Sequence, residues 1–251
     1  AQKAAAREAL GSAVALLSDG AAVLVRINRD LRHAVADLDA AVISGVRAIS
    51  VPKVSGAEHL QLIDELVSTL EAERSLPVGG IGLVAMVESL AGLERVEAMP
   101  RACRRMIGLT IGSEDFSADA GMEPSAENLF HPCQRILFAA RAAGVSAWGF
   151  PGSIAEYGDL ARYREQARRG RQLGFDGAFC IHPSQVTLLN DVFSPTSDEL
   201  AQAREIVTAY EAALEEQRGA ATQGGRMVDL PVVQRARSLL ERGRLLNAGS
   251  D

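Results

Sequence analysis

Four charged side chains stand at the ends of short apolar runs. The run 22–27 carries Arg26 near its end and is followed by Asn28, Lys53 follows 47–52, Glu88 follows 81–87, and Gly112-Ser113-Glu114 carries the run 106–111 on to Asp115. An ion inside a strand covered on both faces is costly to bury, but it is tolerable at the strand's C-terminal end, facing an open mouth. In α/β barrels that mouth is where chemistry occurs. Successive strands thus bring two cations and two carboxylates to one rim. Glu88 and Asp115 end neighbouring strands, so their carboxylates can converge on one hard cation. Mg²⁺ takes few protein carboxylates and fills its other positions with water or substrate oxygens, such as those of a 2-oxo or 2-hydroxy acid. The same charges also make a purely structural rim, with Glu88 paired to Lys53 and Asp115 to Arg26, and spacing alone leaves both readings open.

The remaining reactive residue types are less informative. His182, in Ile-His-Pro-Ser-Gln, reads as a packed, hydrogen-bonded residue rather than a base. His33, His59 and His131 lie in or near helical stretches with no metal spacing, and Ser113 has no nucleophile-elbow context. The glycines at 79, 80 and 82 precede a strand rather than follow one, so they make no dinucleotide fingerprint. The basic segment 162–171 reads as a solvated helix face. Cys103, Cys133 and Cys180 are far apart, form no CxxC pair and read as reduced thiols of a cytoplasmic protein.

The elements that must position the rim follow from the pattern of hydrophobicity. Strand-length runs at 22–27, 47–52, 81–87, 106–111, 145–150 and 178–182 show no clean polar alternation, as expected of parallel strands buried on both faces. Amphipathic segments at 31–44, 57–73, 89–99, 125–143 and 156–173 separate them, giving βα units. Residues 197–217 read as one long charged helix, followed by a Gly-rich break at 219–225 and a last helix over 231–245. The expected organisation is a (β/α) barrel over 1–195 with a helical extension over 196–251. A closed barrel needs eight strands and six are legible. Because the first residues read as the middle of a helix, the first two strands are expected to precede them.

The 251 residues are 47% hydrophobic and 23% charged, a globular balance. A net charge of −6 and 4% aromatic residues argue against a nucleic-acid surface, which needs clustered cations and stacking platforms. No apolar run approaches the length of a membrane span, and no membrane partner is expected.

Taken in order, the motifs Val25-Arg26-Ile27-Asn28, Val51-Pro52-Lys53-Val54, Glu88-Ser89, Gly112-Ser113-Glu114-Asp115-Phe116, Gly174-Phe175-Asp176-Gly177, Cys180-Ile181-His182-Pro183-Ser184-Gln185, Val192-Phe193-Ser194-Pro195 and Gly225-Arg226-Met227-Val228-Asp229-Leu230-Pro231-Val232 resemble the HpcH/HpaI aldolase–citrate lyase β family, in its citrate lyase β-like branch. That branch includes malyl-CoA and citramalyl-CoA lyases. The resemblance implies a TIM-type (β/α)₈ barrel with a C-terminal helical extension, assembled as a trimer or a hexamer. It implies a Mg²⁺-dependent carbon–carbon lyase acting on a 3-hydroxyacyl-CoA thioester, with Glu88 and Asp115 as Mg²⁺ ligands. Arg26 then matches the arginine at the substrate and its developing oxyanion, and Asp229 an acid or base that reaches a neighbouring subunit's site.

Three departures stand out. The family's first strand, with its substrate-contacting arginine, and the second, ending in an acidic pair, have no counterpart here. Ser55-Gly56 stand where many relatives carry an acidic residue after Lys53. The segment Trp148-Gly149-Phe150-Pro151-Gly152-Ser153 lacks an aspartate that the best-known members carry, which leaves the acyl group open. Two other functions remain: an aldolase of free hydroxy-oxo acids, and a non-catalytic barrel subunit.

Overall fold

The computed structural model describes residues 2–155 and 157–248. The elements run α1 (Gln2–Leu17), β1 (Val23–Arg26), α2 (Leu31–Ala41), β2 (Val46–Val51), α3 (Ala57–Glu73), β3 (Gly82–Val87) and α4 (Leu90–Glu94). A 3₁₀ turn (Met99–Arg101) leads to β4 (Met106–Ile111), α5 (Ser113–Ala120), α6 (Phe130–Ala143), β5 (Ser146–Trp148), α7 (Leu160–Leu173) and α8 (Pro183–Phe193). Then come α9 (Ser197–Glu215), β6 (Ala221–Gln223), β7 (Arg226–Val228) and α10 (Leu230–Ala248). The chain divides into two units, Ala1–Leu189 and Asn190–Asp251.

In the first unit, β1 to β5 form one parallel sheet in sequence order. β2, β3 and β4 are almost wholly buried, whereas β1 at the edge is half-covered. The long apolar runs therefore became the central strands. Two of the helices bury clear apolar stripes: Leu60, Ile63, Val67 and Leu70 on α3, and Cys133, Ile136, Leu137 and Ala140 on α6. Helix ends follow local chemistry. Asp30 and Asp159 cap α2 and α7 through their carboxylates, and Gly144 and Gly174 end α6 and α7 at φ of 72° and 113°.

The run 178–182 is not a strand. A single bridge joins Gly177 to Trp148. The amides of Ile181 and His182 are instead taken by the Gln185 side chain, at 2.9 and 3.1 Å, so they are withdrawn from any ladder. Pro183 then starts α8. The segment 89–99 likewise yields only the short α4, and 125–143 becomes helical from Phe130. Among the described residues the sheet has five strands, all parallel.

The second unit has its own small core of Tyr210, Ala213, Ala221, Val228 and Val233. A capping box, Thr196 with Glu199, starts α9. The Gly-rich break proves to be a hairpin. β6 and β7 pair antiparallel across Gly224 and Gly225, whose φ of 54° and 75° are the successive positive values that a type I′ turn requires.

At the N-terminal end of the sheet, Arg105 and Glu71 form an ion pair with side chains 3% and 0% exposed. Arg105 Nη2 meets Glu71 Oε2 at 2.9 Å and donates to Ser68 at 2.7 Å, Nη1 donates to the Ile81 carbonyl at 2.7 Å, and Nε pairs with Asp64. Glu71 also accepts the amides of Gly79 and Ile81, both at 2.8 Å. Burial pushes the Glu71 carboxyl up, but the Arg105 guanidinium and these two amides outweigh it and hold it below the usual glutamate range. A depressed carboxyl stabilises the fold above its unfolded value, and that stability is lost as pH falls through the folded value. Arg105→Met leaves Glu71 buried without its cation. It should lower unfolding stability by about 3–5 kcal/mol in urea titrations at neutral pH. The deficit should shrink as the pH is taken below the ordinary glutamate value, and a neutral-pH loss under 1 kcal/mol would refute the reading.

Candidate active site

The C-terminal ends of β1 to β4 place the predicted residues together. Arg26 is the last residue of β1, Lys53 lies two residues past β2, Glu88 one past β3, and Asp115 is in the first turn of α5, just after β4. Ladder hydrogen bonds continue into these ends. The Ile27 amide donates to Ser50, Val54 to Met86 and Gly112 to Val87, at 3.0–3.2 Å. Asp37 steadies the loop after β1. It accepts the Asn28 backbone and side-chain amides at 2.7 and 2.6 Å and Arg7 Nε at 2.7 Å.

Glu88 is 5% exposed. Its Oε2 accepts the Lys53 backbone amide at 2.6 Å, while Lys53 Nζ stands 2.8 Å from Asp115 Oδ1. Lys53 adopts a φ of 48°, a left-handed conformation rare outside glycine. One residue thus serves both carboxylates, the first with its amide and the second with its ammonium. Of the pairs that a purely structural rim would make, Asp115 meets Lys53 rather than Arg26, and Lys53 meets Glu88 by its backbone rather than its side chain. Desolvation raises the Glu88 carboxyl above the usual range, and Asp115's charge adds to this. The Lys53 amide and the charges of Lys53 and Arg26 oppose it without cancelling it. The Lys53 ammonium is held up by its hydrogen bond to Asp115.

Because Val87 pairs with Ile111, the next residues, Glu88 and Gly112, face each other. A Cβ at Gly112 would lie 2.5 Å from Glu88 Cγ and 2.6 Å from Oε1, so only glycine leaves the carboxylate its place.

Arg26, Glu88 and Asp115 line one cavity of about 270 Å³. Apolar side chains from two loops, Phe150, Ile154, Ala178, Phe179 and Ile181, also line it, together with Met86 from β3. A second hollow, of about 300 Å³, shares the same three charged residues and adds Asn28, Arg29 and Lys53. The three residues therefore stand between an apolar wall and a cationic one. No group of three or more His, Cys, Asp or Glu side chains gathers as a metal cage among the described residues. The pair Glu88 and Asp115 offers hard oxygen donors, and the ammonium against Asp115 shows that a positive charge is accommodated there. Such a pair suits an ion that keeps most of its ligands from water or substrate.

Asp229 belongs to the second unit, just before α10, where its carboxylate accepts the Val232 amide at 3.3 Å as a cap. His182 is exposed. Its Nδ1 is 2.8 Å from Ser184 Oγ and its ring stacks on Tyr157 at 5.0 Å. Sequence reasoning missed Ser153, whose hydroxyl donates to Glu114 Oε1 at 2.5 Å across 39 positions, and Arg29, which donates to the Lys53 carbonyl at 3.1 Å. Neither has a local signature.

The family model described as HpcH/HpaI aldolase/citrate lyase matches residues 1–183. The citrate lyase beta subunit of Escherichia coli (strain K12) is 36% identical over 226 residues, covering 88% of this chain and 74% of the relative. The L-malyl-CoA/beta-methylmalyl-CoA lyase of Cereibacter sphaeroides (strain ATCC 17025 / ATH 2.4.3) is 32% identical over 221 residues, covering 80% and 68%. Among solved structures, protein CitE from Mycobacterium tuberculosis in complex with magnesium, acetoacetate and coenzyme A is similar at a TM-score of 0.68 and 27% identity. That match covers 93% of this chain and 84% of the other.

Gly112→Ala should push the Glu88 carboxylate aside and destabilise the protein by about 1–3 kcal/mol, as overpacking does. Urea unfolding measures the loss. Unchanged stability together with an unmoved Glu88 in a crystal structure of the variant would show that the carboxylate does not depend on this gap.

Proposed function

The chain belongs to the HpcH/HpaI aldolase/citrate lyase family, whose matched relatives are lyases, and on that premise we propose that it cleaves or forms a 3-hydroxyacyl-CoA thioester such as malyl-CoA, citramalyl-CoA or citryl-CoA. The observation that carries this reading is the meeting of Arg26, Glu88 and Asp115 in one cavity at the ends of successive parallel strands. A (β/α)₈ barrel, of which the five strands are part, accounts for chemistry at that end.

Glu88 and Asp115 would hold Mg²⁺, which when bound supplies a Lewis acid and a template for the oxo-acid carboxylate and its neighbouring oxygen. Lys53 keeps the two carboxylates oriented and offsets their mutual repulsion. Cleavage breaks the bond between the carbinol carbon and the thioester α-carbon. The hydroxyl gives its proton to solvent as it becomes the carbonyl of a 2-oxo acid, and the electron pair stays on the thioester half as an enolate. The Arg26 guanidinium stabilises charge developing on oxygen. Asp229 gives a proton to the enolate carbon, or removes one in the condensation direction. Residues 196–251 serve as a lid that brings Asp229 to a neighbouring subunit's site in a homotrimer or hexamer. The three free thiols suit a cytoplasmic enzyme. No helix among the described residues is long and apolar enough to cross a membrane.

The test is a panel of 3-hydroxyacyl-CoA thioesters incubated with Mg²⁺ or EDTA while free oxo acid and new thioester are followed. Cleavage should need Mg²⁺ and fall about 10²-fold or more in Glu88→Ala and Asp115→Ala. Asp229→Asn should lower kcat by about 10²–10⁴-fold and leave the calorimetric Mg²⁺ affinity unchanged. Activity on free hydroxy-oxo acids alone would move the protein to the aldolase reading, and full activity of Asp229→Asn would remove that residue's role.

A further inference from the structure

The apolar wall of the cavity comes from two loops, 149–155 after β5 and 178–182 before α8, and neither is held by a strand ladder beyond Gly177. Gln185 lies beneath them, with a side chain 0% exposed. Its Oε1 accepts the Ile181 and His182 amides, and its Nε2 donates to the Ile154 carbonyl at 3.0 Å. Both Ile154 and Ile181 line the cavity. The first loop is also tied at the opposite side. Ser153 Oγ accepts the Ala155 amide at 3.1 Å and donates to Glu114, the residue before Asp115. A hydrogen-bonded chain therefore runs from the charged side of the cavity, through the wall, to α8.

The accepting half of Gln185 has an ordinary explanation, since a Gln or Glu at the third helical position returns to the cap amides of its own helix. The donating half does not. Capping α8 needs no bond to Ile154, which is 31 residues away. We propose that Gln185 is a positioning residue that holds the apolar wall against the substrate, and that the wall receives an alkyl substituent on the 2-oxo-acid half. This rests on the lyase reading given above. A wall of Phe150, Ile154, Ala178, Phe179 and Ile181 has no cation with which to meet a second carboxylate, whereas a methyl or ethyl group there is removed from water. The preferred oxo acid is then of the pyruvate or 2-oxobutyrate type, over glyoxylate or oxaloacetate.

Calorimetry on the full chain with Mg²⁺ tests this without turnover. Pyruvate should bind about fourfold more tightly than glyoxylate, and 2-oxobutyrate about fourfold more tightly again, from the burial of one carbon each. Gln185→Glu keeps the acceptor for α8 but turns a carboxylate oxygen toward the Ile154 carbonyl. Measured at pH 8, it should bring both ratios close to one while glyoxylate affinity stays within about twofold, because the charged side of the site is untouched. Ile154→Ala should lower the same ratios and decides the matter if the first variant does not fold. Equal binding of the three acids by the wild type, tighter binding of oxaloacetate, or ratios unchanged in both variants would each overturn the proposal. An equal loss for all three acids in Gln185→Glu would reduce the residue to a helix cap and do the same. Alkyl preference without cleavage of any thioester would instead sink the lyase reading and leave the wall in place.

Discussion

A carboxylate buried at the end of a parallel sheet must be compensated, and the arrangement at Glu88 sets the geometry of everything around it. Its main partner is the backbone amide of Lys53, presented by a left-handed turn that costs a non-glycine residue about 1–2 kcal/mol. The same turn aims the Lys53 ammonium at Asp115. The absence of a side chain at Gly112 gives the carboxylate its space. The ends of β2, β3 and β4 are thus bound into one unit around a group that compensation leaves incompletely stabilised, since its carboxyl still lies above the usual range. A further positive charge brought beside it would offset that desolvation.

The two ends of the sheet use charge in opposite ways. At the N-terminal end, Arg105 is surrounded by Glu71, Asp64, Ser68 and the Ile81 carbonyl, and the cluster is nearly dry. Such a network joins α3 to the starts of β3 and β4 and has no open coordination. At the C-terminal end, Lys53 and Asp115 are about half exposed, at 51% and 53%, and Arg26 is exposed. The same residue types are locked in place where they are buried with complete partners and stay open to solvent where they are not. This division agrees with stability at one face and chemistry at the other.

Much of this was legible in the chain. The runs that became β1 to β4 were found within a residue or so, because strands buried on both faces have no polar interruptions. The family reading, built on eight weak motifs in order, agrees with the match over residues 1–183. What was not legible depends on contacts between distant segments. The run 178–182 has a strand's composition, but the Gln185 side chain takes its amides. The break at 219–225 holds the first strand and the turn of a hairpin whose strands have only three residues each, too short to show alternation. Which cation of the rim meets Asp115 was not legible either, because Arg26 and Lys53 both end strands before Glu88 and spacing does not show which of them reaches across it; in the structure it is Lys53, from a left-handed turn.

The hairpin between α9 and α10 has a kinetic consequence. Thr222 pairs with Met227, and the strands are joined by two glycines, so the loop to be closed is minimal. In the sheet, by contrast, Val23 must find Val46 and Ile49 must find Leu83, with a whole helix between the partners each time. Closing longer loops loses more chain entropy before any contact is gained, and such pairings form later. The contacts from α9 to α10 are then expected to form ahead of the sheet, whose strand order takes the longer search.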